Sequence, residues 1–363
     1  MPEPYAGLMS GTSLDGVDVV LVDFEPSPWR LIAAHSFAYP PAIRAEALAL
    51  NERGEDELGR AALLGVALSR HYAQATLEML ASAAVDADTV SAIGCHGQTV
   101  RHRPDRGYTM QLVNGALLAE RTGICTVCDF RSRDIAAGGQ GAPLVPAFHA
   151  ARFRSRDAHR VIVNLGGIAN LTALPPDGPV AGFDIGPANI LLDSWTQTHN
   201  RTAFDRDGAW AASGAVIEPL LHAFRADPYF AAPPPKSTGR EEFNRAWLEH
   251  FAPERYRPAD VQATLAELTA ATVADAIERH CAAASEVLLC GGGAENRDLV
   301  SRLAARLAGR TLTDTGVLGV PPKLVEAFAF AWLAREALAG RPGNVPEATG
   351  AAGPRVLGAI YPR

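Results

Sequence analysis

The sequence predicts a two-domain α/β protein in which mixed sheets are flanked by helices. Three observations carry that expectation. The chain has 363 residues, more than a single hydrophobic core usually serves, so two cores with a cleft between them are expected. Its first third reads as strands, then helices, then a returning strand, the pattern of antiparallel strands feeding βα units. A strand–turn–strand pattern then recurs in the second half, an internal repeat of structure rather than of letters.

Taken in order, residues 5–9, 17–24 and 31–38 carry β-type patterning, residues 43–50 and 58–84 carry helical periodicity, and 90–95 reads as a strand. The glycine-rich stretch 136–143 breaks the pattern and marks the neighbourhood of a domain junction. This predicts an N-terminal domain of residues 1–130 joined by roughly 345–363, and a C-terminal domain of 131–344. Beyond the break, 161–165 and 171–174 are strands around the turn Gly166-Gly167-Ile168-Ala169-Asn170. Residues 182–189 form a strand that reaches Asp184 and a Gly-Pro turn that opens a helix over 190–198. Near the C-terminus a buried strand, 286–290, runs into Gly291-Gly292-Gly293 and a helix over 294–307 that contains Asn296.

Composition narrows the function. With 48% hydrophobic and 20% charged residues the chain is that of a folded globular protein. A formal net charge of -7 argues against nucleic acid or an anionic membrane as partner, because phosphate polymers are held by clustered Lys and Arg. The N-terminus lacks a basic segment leading into an apolar one, and no apolar run approaches the ~18 residues of a membrane span, so the expected location is the cytoplasm. Five cysteines, an odd number set among apolar neighbours, fit buried thiols in a reducing compartment. Cys125 and Cys128 share a β-branched, strand-like segment with no second ligand pair, which reads as structural rather than zinc-binding or redox-active.

The chemistry-bearing residues gather at the turns. Gly7 to Asp18 sets a hydroxyl- and glycine-rich turn between two apolar strands. Gly11 and Gly16 let backbone N–H groups approach an anion, Thr12 and Ser13 add hydroxyls, and Asp15 and Asp18 supply hard oxygen ligands for the Mg²⁺ that accompanies a triphosphate. Leu14 and Val17 complete this candidate ATP loop. An ordinary hairpin loop uses the same residue types. The second turn, with Asn164, Gly166, Gly167 and Asn170, repeats the device, and two such turns facing each other would grip a polyphosphate from both sides. That arrangement resembles the actin, hexokinase and Hsp70 class of ATPase folds. Gly291, Gly292, Gly293 and Asn296 allow a flat group such as adenosine close to the backbone. Asp184, a strand-end carboxylate beside a helix N-terminus, stands where catalysis would use it.

Other signatures are missing. Lys236-Ser237-Thr238 has the tail of a P-loop, but the three prolines before it cannot donate N–H groups to phosphate. No Gly-x-Ser-x-Gly, His-Glu-x-x-His or protein-kinase catalytic loop is present. His96 and His102 lack partners at metal spacing and read as polar ligand contacts or loop histidines.

Jointly the motifs resemble the anhydro-N-acetylmuramic acid kinase family. The matching segments are 7–18, 95–99, 129–149, 164–172, 182–193, 235–241, 290–296 and 326–332. The resemblance implies an actin-like ATPase fold and an Mg-ATP-dependent reaction in which water opens 1,6-anhydro-N-acetylmuramic acid and the released O6 is phosphorylated, in the recycling of peptidoglycan. It also implies a homodimer acting on small molecules. Asp184 matches the family's general base. One base suffices where a glycosidase uses two carboxylates, because O6 departs toward a phosphoryl group that replaces the general acid. Gln98, Thr99, Arg131 and Glu326 fall in the sugar-recognising region. Arg131 suits the lactyl carboxylate or an ordinary surface ion pair, and Glu326 a sugar contact or an exposed helix position. A kinase for another sugar, and an ATP-gated binding protein without transfer chemistry, are the competing expectations.

Overall fold

The computed structural model describes residues 3–11, 14–25, 27–234 and 236–363. The chain divides into two compact units, residues 1–148 with 324–363, and residues 149–323.

The first unit begins with β1 (Pro4–Met9), β2 (Gly16–Asp23) and β3 (Arg30–Ala38), each antiparallel to the next. β4 (Ala92–Cys95) then pairs parallel to β1; β5 (Gln98–Arg103) and β6 (Tyr108–Leu112) form a separate ribbon. β7 (Thr126–Cys128) runs parallel to β4, and β13 (Ala359–Tyr361) closes the edge antiparallel to it. The six strands of the main sheet stand in the order β13-β7-β4-β1-β2-β3. Nearly every side chain of β2 is buried, because both sheet faces are covered. On one face the helix Glu57–Ser82 packs Leu64, Leu68, Tyr72 and Met79 into a core with Leu8, Val19 and Leu21.

The helix Val325–Leu338 covers the other face, and two glycines seat it. Gly7 of β1 pairs directly with Gly94 of β4. A Cβ on either would fall 1.9 Å from a helix carbonyl oxygen, that of Ala327 or Phe330. The sheet is therefore bare of side chains where the helix backbone rests on it, and this close approach fixes Glu326 in the helix's first turn. It also corrects the expected boundary: the chain returns to the first unit at Leu324, not near 345. The other junction shifts too. The glycine-rich stretch 136–143 belongs to the first unit, where the fully buried Asp134 accepts from the Gly141 N–H (2.8 Å), Asn344 (2.7 Å) and Thr349 (2.8 Å). The division follows Phe148.

The second unit contains β8 (Arg160–Leu165), β9 (Ile168–Leu174), β10 (Ala181–Pro187), β11 (Glu286–Cys290) and β12 (Thr311–Asp314). Their order is β10-β9-β8-β11-β12, with β8, β9 and β10 antiparallel and β11 and β12 parallel to β8. This repeats β3-β2-β1-β4-β7 strand for strand, so the structural repeat expected from sequence is present. It is the α/β architecture of the actin-like ATPase class. The long, largely buried helix Pro258–His280 packs Val273 and Ile277 against this sheet.

Candidate active site

In the first unit the β1–β2 register pairs Met9 with Asp18, so Asp18 stands at the base of the turn. Leu14 adopts φ 59°, and its N–H reaches the Gly11 carbonyl at 3.4 Å, which folds the turn back on itself. Thr12 and Ser13, both expected phosphate donors, lie outside the described residues. A Cβ on Gly16 would come 2.1 Å from the Phe37 carbonyl oxygen, so only glycine lets β3 lie so close here. Asp15 and Asp18 have different surroundings. The Asp15 carboxylate is exposed, 3.6 Å from the Arg44 guanidinium, whereas Asp18 accepts a short hydrogen bond from the Ser36 hydroxyl of β3.

Beneath the turn lies a buried hydroxyl network. Gln98 donates to the Gly11 carbonyl (3.3 Å) and accepts from the Tyr39 hydroxyl (3.3 Å). The Tyr39 and Tyr72 hydroxyls are 2.8 Å apart, and Ser10 bridges Tyr72 (3.0 Å) to the Gly97 carbonyl (3.1 Å). Sequence reasoning assigns Gln98 to the sugar; the fold instead buries its amide and gives it to the turn backbone. Thr99, half-buried at a bulge in the ribbon, accepts from Gln111 at 3.2 Å.

Arg131 is no surface ion pair. Its Nε and Nη2 both address Nε2 of His96, at 3.2 and 2.9 Å, and its Nη1 donates to the Gly141 carbonyl at 2.7 Å. Nε2 is therefore an acceptor and the imidazole neutral; burial and the neighbouring guanidinium hold the His96 pKa down at about 3. Burial lowers Arg131 itself to about 10, against the opposing fields of Glu326 and Asp134. Glu326 is pushed upward by burial and by the charge of Asp18, and downward by Arg131. Residues 18, 96, 131 and 326, far apart in sequence, form one electrostatic cluster. His96 acquires a role that sequence could not assign: it positions the Arg131 fork.

In the second unit the register lines up one row of candidates. Asp184 of β10 pairs with Asn170 of β9, which pairs with Asn164 of β8, which pairs with Cys290 of β11. The glycine turns follow immediately. Asn189, at the start of the helix Asn189–Asn200, donates to the carbonyls of Leu165 (2.8 Å) and Gly166 (2.9 Å), and the N–H groups of Ala188 and Ile190 bond the Gly167 carbonyl at 3.0 and 3.1 Å. The helix start thus locks the Gly166-Gly167 turn. Gly291, at φ 80°, passes so close to Asn164 that a Cβ would lie 2.3 Å from its Oδ1. A Gly293 Cβ would strike Leu165 at 2.7 Å, while one on Gly292 meets nothing within 4 Å. Asn296 is not inside a helix. The backbone first makes a tight turn over Gly292–Glu295, and Asn296 caps the helix Arg297–Arg306 by accepting from the Leu299 N–H at 3.0 Å.

Asp184 sits at a register shift in β10, with Oδ2 held by the Thr238 N–H at 3.1 Å. Burial raises its pKa to about 6; the Thr238 bond and the Lys236 charge oppose the rise, and Glu241 adds to it. The surrounding segment is built around this strand: Lys236 accepts from the Asp184 N–H (3.2 Å), and the Tyr229 hydroxyl donates to the Asp184 carbonyl (2.8 Å). The Lys236 ammonium bonds the Tyr229 carbonyl (2.9 Å) and lies 4.4 Å from its ring centroid. Tyr229 escapes motif reading, while Asn189, Lys236 and Thr238 lie in the matching segments 182–193 and 235–241 without a role assigned from sequence.

The donors available fit magnesium at Asp18 better than at Asp15. Mg²⁺ is usually held by one or two carboxylates together with substrate phosphates and water. The Asp18 charge is close enough to disfavour ionisation of Glu326, a conflict that a divalent cation relieves, whereas the Asp15 carboxylate faces solvent and an arginine. Among the described residues no cluster of three or more His, Cys, Asp or Glu side chains could hold a metal alone.

Comparison with known proteins places these features in a family. A family model described as anhydro-N-acetylmuramic acid kinase matches residues 3–363. Curated relatives bearing that name include one from Nitrosomonas europaea, 53% identical over 360 residues that cover 99% of each chain. Another, from Xanthomonas campestris pv. campestris, is 54% identical over 368 residues, covering 99% of this chain and 97% of its own. Among solved structures, a ROK family glucokinase from Streptomyces griseus in complex with glucose and AMPPNP is 15% identical at a TM-score of 0.42, covering 92% of this chain and 99% of its own.

Proposed function

The chain belongs to the anhydro-N-acetylmuramic acid kinase family, and from that premise we propose how its residues divide the reaction. The enzyme is an ATP-dependent kinase that opens 1,6-anhydro-N-acetylmuramic acid and phosphorylates it, giving N-acetylmuramic acid 6-phosphate in peptidoglycan recycling.

Asp184 is the base. With a pKa near 6 it is ionised at neutral pH yet basic enough to take a proton from water. As that proton passes to the Asp184 carboxylate, the water oxygen bonds the anomeric carbon, the C1–O6 bond breaks, and O6 takes the γ-phosphoryl group of ATP as its bond to the bridging oxygen breaks and ADP leaves. The observation that carries this assignment is the environment of Asp184: a half-buried carboxylate fixed by one backbone N–H, without the guanidinium that Glu326 has.

Arg131 and Glu326 bind the sugar. The Arg131 fork, oriented by neutral His96, is matched to the lactyl carboxylate, and Glu326 to sugar hydroxyls. In the first unit the turn from Gly11 to Asp18, supported from below by Gln98, offers backbone to nucleotide phosphate, and in the second unit the turns at Asn164–Asn170 and Gly291–Gly293 offer the same. Asp18 would hold Mg²⁺, which neutralises charge on the transferring phosphoryl group. Five cysteines that form no disulfide support residence in the cytoplasm, and no helix among the described residues is long and apolar enough to cross a membrane. A homodimer is proposed on the family resemblance alone.

Incubation with the anhydro-sugar, ATP and Mg²⁺ yields the 6-phosphate, read by mass spectrometry. Asp184→Asn yields none while ATP still binds, and an Asn variant with substantial activity would remove Asp184 as the base.

A further inference from the structure

Within residues 149–323 a cavity of about 360 Å³ opens beside β10. Phe183 and Ile185 line it, and because strand residues alternate, they face away from Asp184 between them. Its charged lining is lopsided. Arg225, Lys236 and Arg279 face it with a single carboxylate, Asp275, which Arg225 occupies at 2.5 Å. Lys236 and Arg279 are left without a carboxylate in the lining and repel each other: burial and then the Arg279 charge lower the Lys236 pKa. His280 also lines the cavity, 5.1 Å from Phe183 between ring centroids, and is pushed down by burial, Arg279 and Lys236. A chain of net charge -7 thus maintains a cavity with surplus positive charge and an aromatic wall of Phe183 and Phe230.

We propose that this cavity binds a small phosphate-bearing anion, its phosphoryl oxygens on Lys236 and Arg279 and its carbon body against Phe183 and Phe230. Occupancy reaches the catalytic strand through Lys236, whose carbonyl and ammonium are tied to the Asp184 N–H and to Tyr229. The Lys236 charge favours ionised Asp184, and an anion on Lys236 cancels that field. The other groups acting there are Glu241 on Asp184 and Glu242 on Lys236 and Tyr229; neither lines the cavity. A bound anion therefore moves the Asp184 titration, and the acid limb of the rate profile, to higher pH. This coupling rests on Asp184 being the base; the binding does not.

The test titrates the intact protein, saturated with a non-hydrolysable ATP analogue so that the nucleotide phosphate positions are filled. Inorganic phosphate and, separately, glucose 6-phosphate are added at constant ionic strength in a calorimeter. One equivalent of anion is expected to bind, with affinity falling at least ~10-fold in Arg279→Gln and partly restored in Arg279→Lys. Arg279 is exposed, so neither change threatens folding. Equal binding of both anions assigns recognition to the phosphoryl group, and tighter glucose 6-phosphate adds the aromatic wall. No binding, or binding indifferent to Arg279→Gln, overturns the site. If binding is seen but saturating anion leaves the acid limb unmoved, the coupling is overturned; an active Asp184→Asn would separately overturn the base.

Discussion

The two hairpins occupy the same place in the same strand order, yet their chemistry is opposite. The β1–β2 hairpin ends on Asp18, whose charge, like that of Arg131, acts on Glu326. The β8–β9 hairpin ends on the amides Asn164 and Asn170, with the carboxylate one strand further out at Asp184. One repeat supplies formal charge, suited to a cation and a carboxylated ligand; the other supplies neutral donors and close backbone. The carboxylates differ accordingly. Glu326 has a guanidinium to balance it and serves as a fixed binding group, whereas Asp184 has only a backbone N–H and an ammonium at a remove, which leaves it able to accept a proton. Duplicated topology therefore sets where functional groups stand, and burial and counter-charge decide what each does.

The largest expected effect tests that division directly. Asp184→Asn should lower kcat by about 10³-fold or more with the ATP Kd unchanged, the size of a lost general base. Glu326→Gln should act mainly on the sugar, raising its KM roughly 10- to 100-fold with kcat little altered. Steady-state kinetics of the two variants decide it. If Glu326→Gln loses kcat as Asp184→Asn does while its KM is unchanged, the roles assigned to the two carboxylates are wrong.

Next in size is the split between the two aspartates of the first turn. Asp18→Asn should cost about 10²-fold in kcat and demand more Mg²⁺ for half-activation, whereas Asp15→Asn, exposed beside Arg44, should change either by less than about threefold. Magnesium titrations of both variants separate them, and a larger shift in Asp15→Asn would move the cation to the turn's tip.

The glycines give a contrast in stability. Gly94→Ala places a methyl group on the Phe330 carbonyl and should cost about 1–3 kcal/mol, lowering the midpoint of urea unfolding. Gly292→Ala points into open space and should stay within about 0.5 kcal/mol of wild type. Equal midpoints would mean that the helix Val325–Leu338 does not depend on its bare seat.

That seat also shows where sequence legibility ends. Strands, turns and the candidacy of Asp184 were readable, because alternation, glycine clusters and a strand-end carboxylate are local signals. The Gly7–Gly94 pair was not, since its meaning depends on a helix more than 200 residues away, and so the boundary near Leu324 was missed. The surroundings of Gln98 were hidden for a related reason: a polar residue in a matching motif reads as a ligand contact, and only the fold reveals the tyrosine and turn backbone that it bonds. Arg131 was half legible, as its fork suggested a carboxylate but not the histidine that aims it.

The smallest effect is a shift rather than a loss. Asp184 must be ionised to act, so kcat/KM should rise with pH and level off above about 6. Lys236→Met removes a charge that favours the ionised form and should move that limb upward by roughly half to one pH unit, leaving the plateau nearly intact. The sign carries over to stability. Because burial raises the folded-state pKa of Asp184 from 3.8 to about 6, ionisation costs the folded protein stability as pH rises through that interval. Asp184→Asn escapes the cost, so its melting temperature should gain on that of wild type between pH 4 and pH 7. A limb that moves downward in Lys236→Met would mean that the Lys236 charge does not favour ionised Asp184, and an Asn variant that loses ground over that range would mean that Asp184 is held by a counter-charge after all, so that the contrast with Glu326 would collapse.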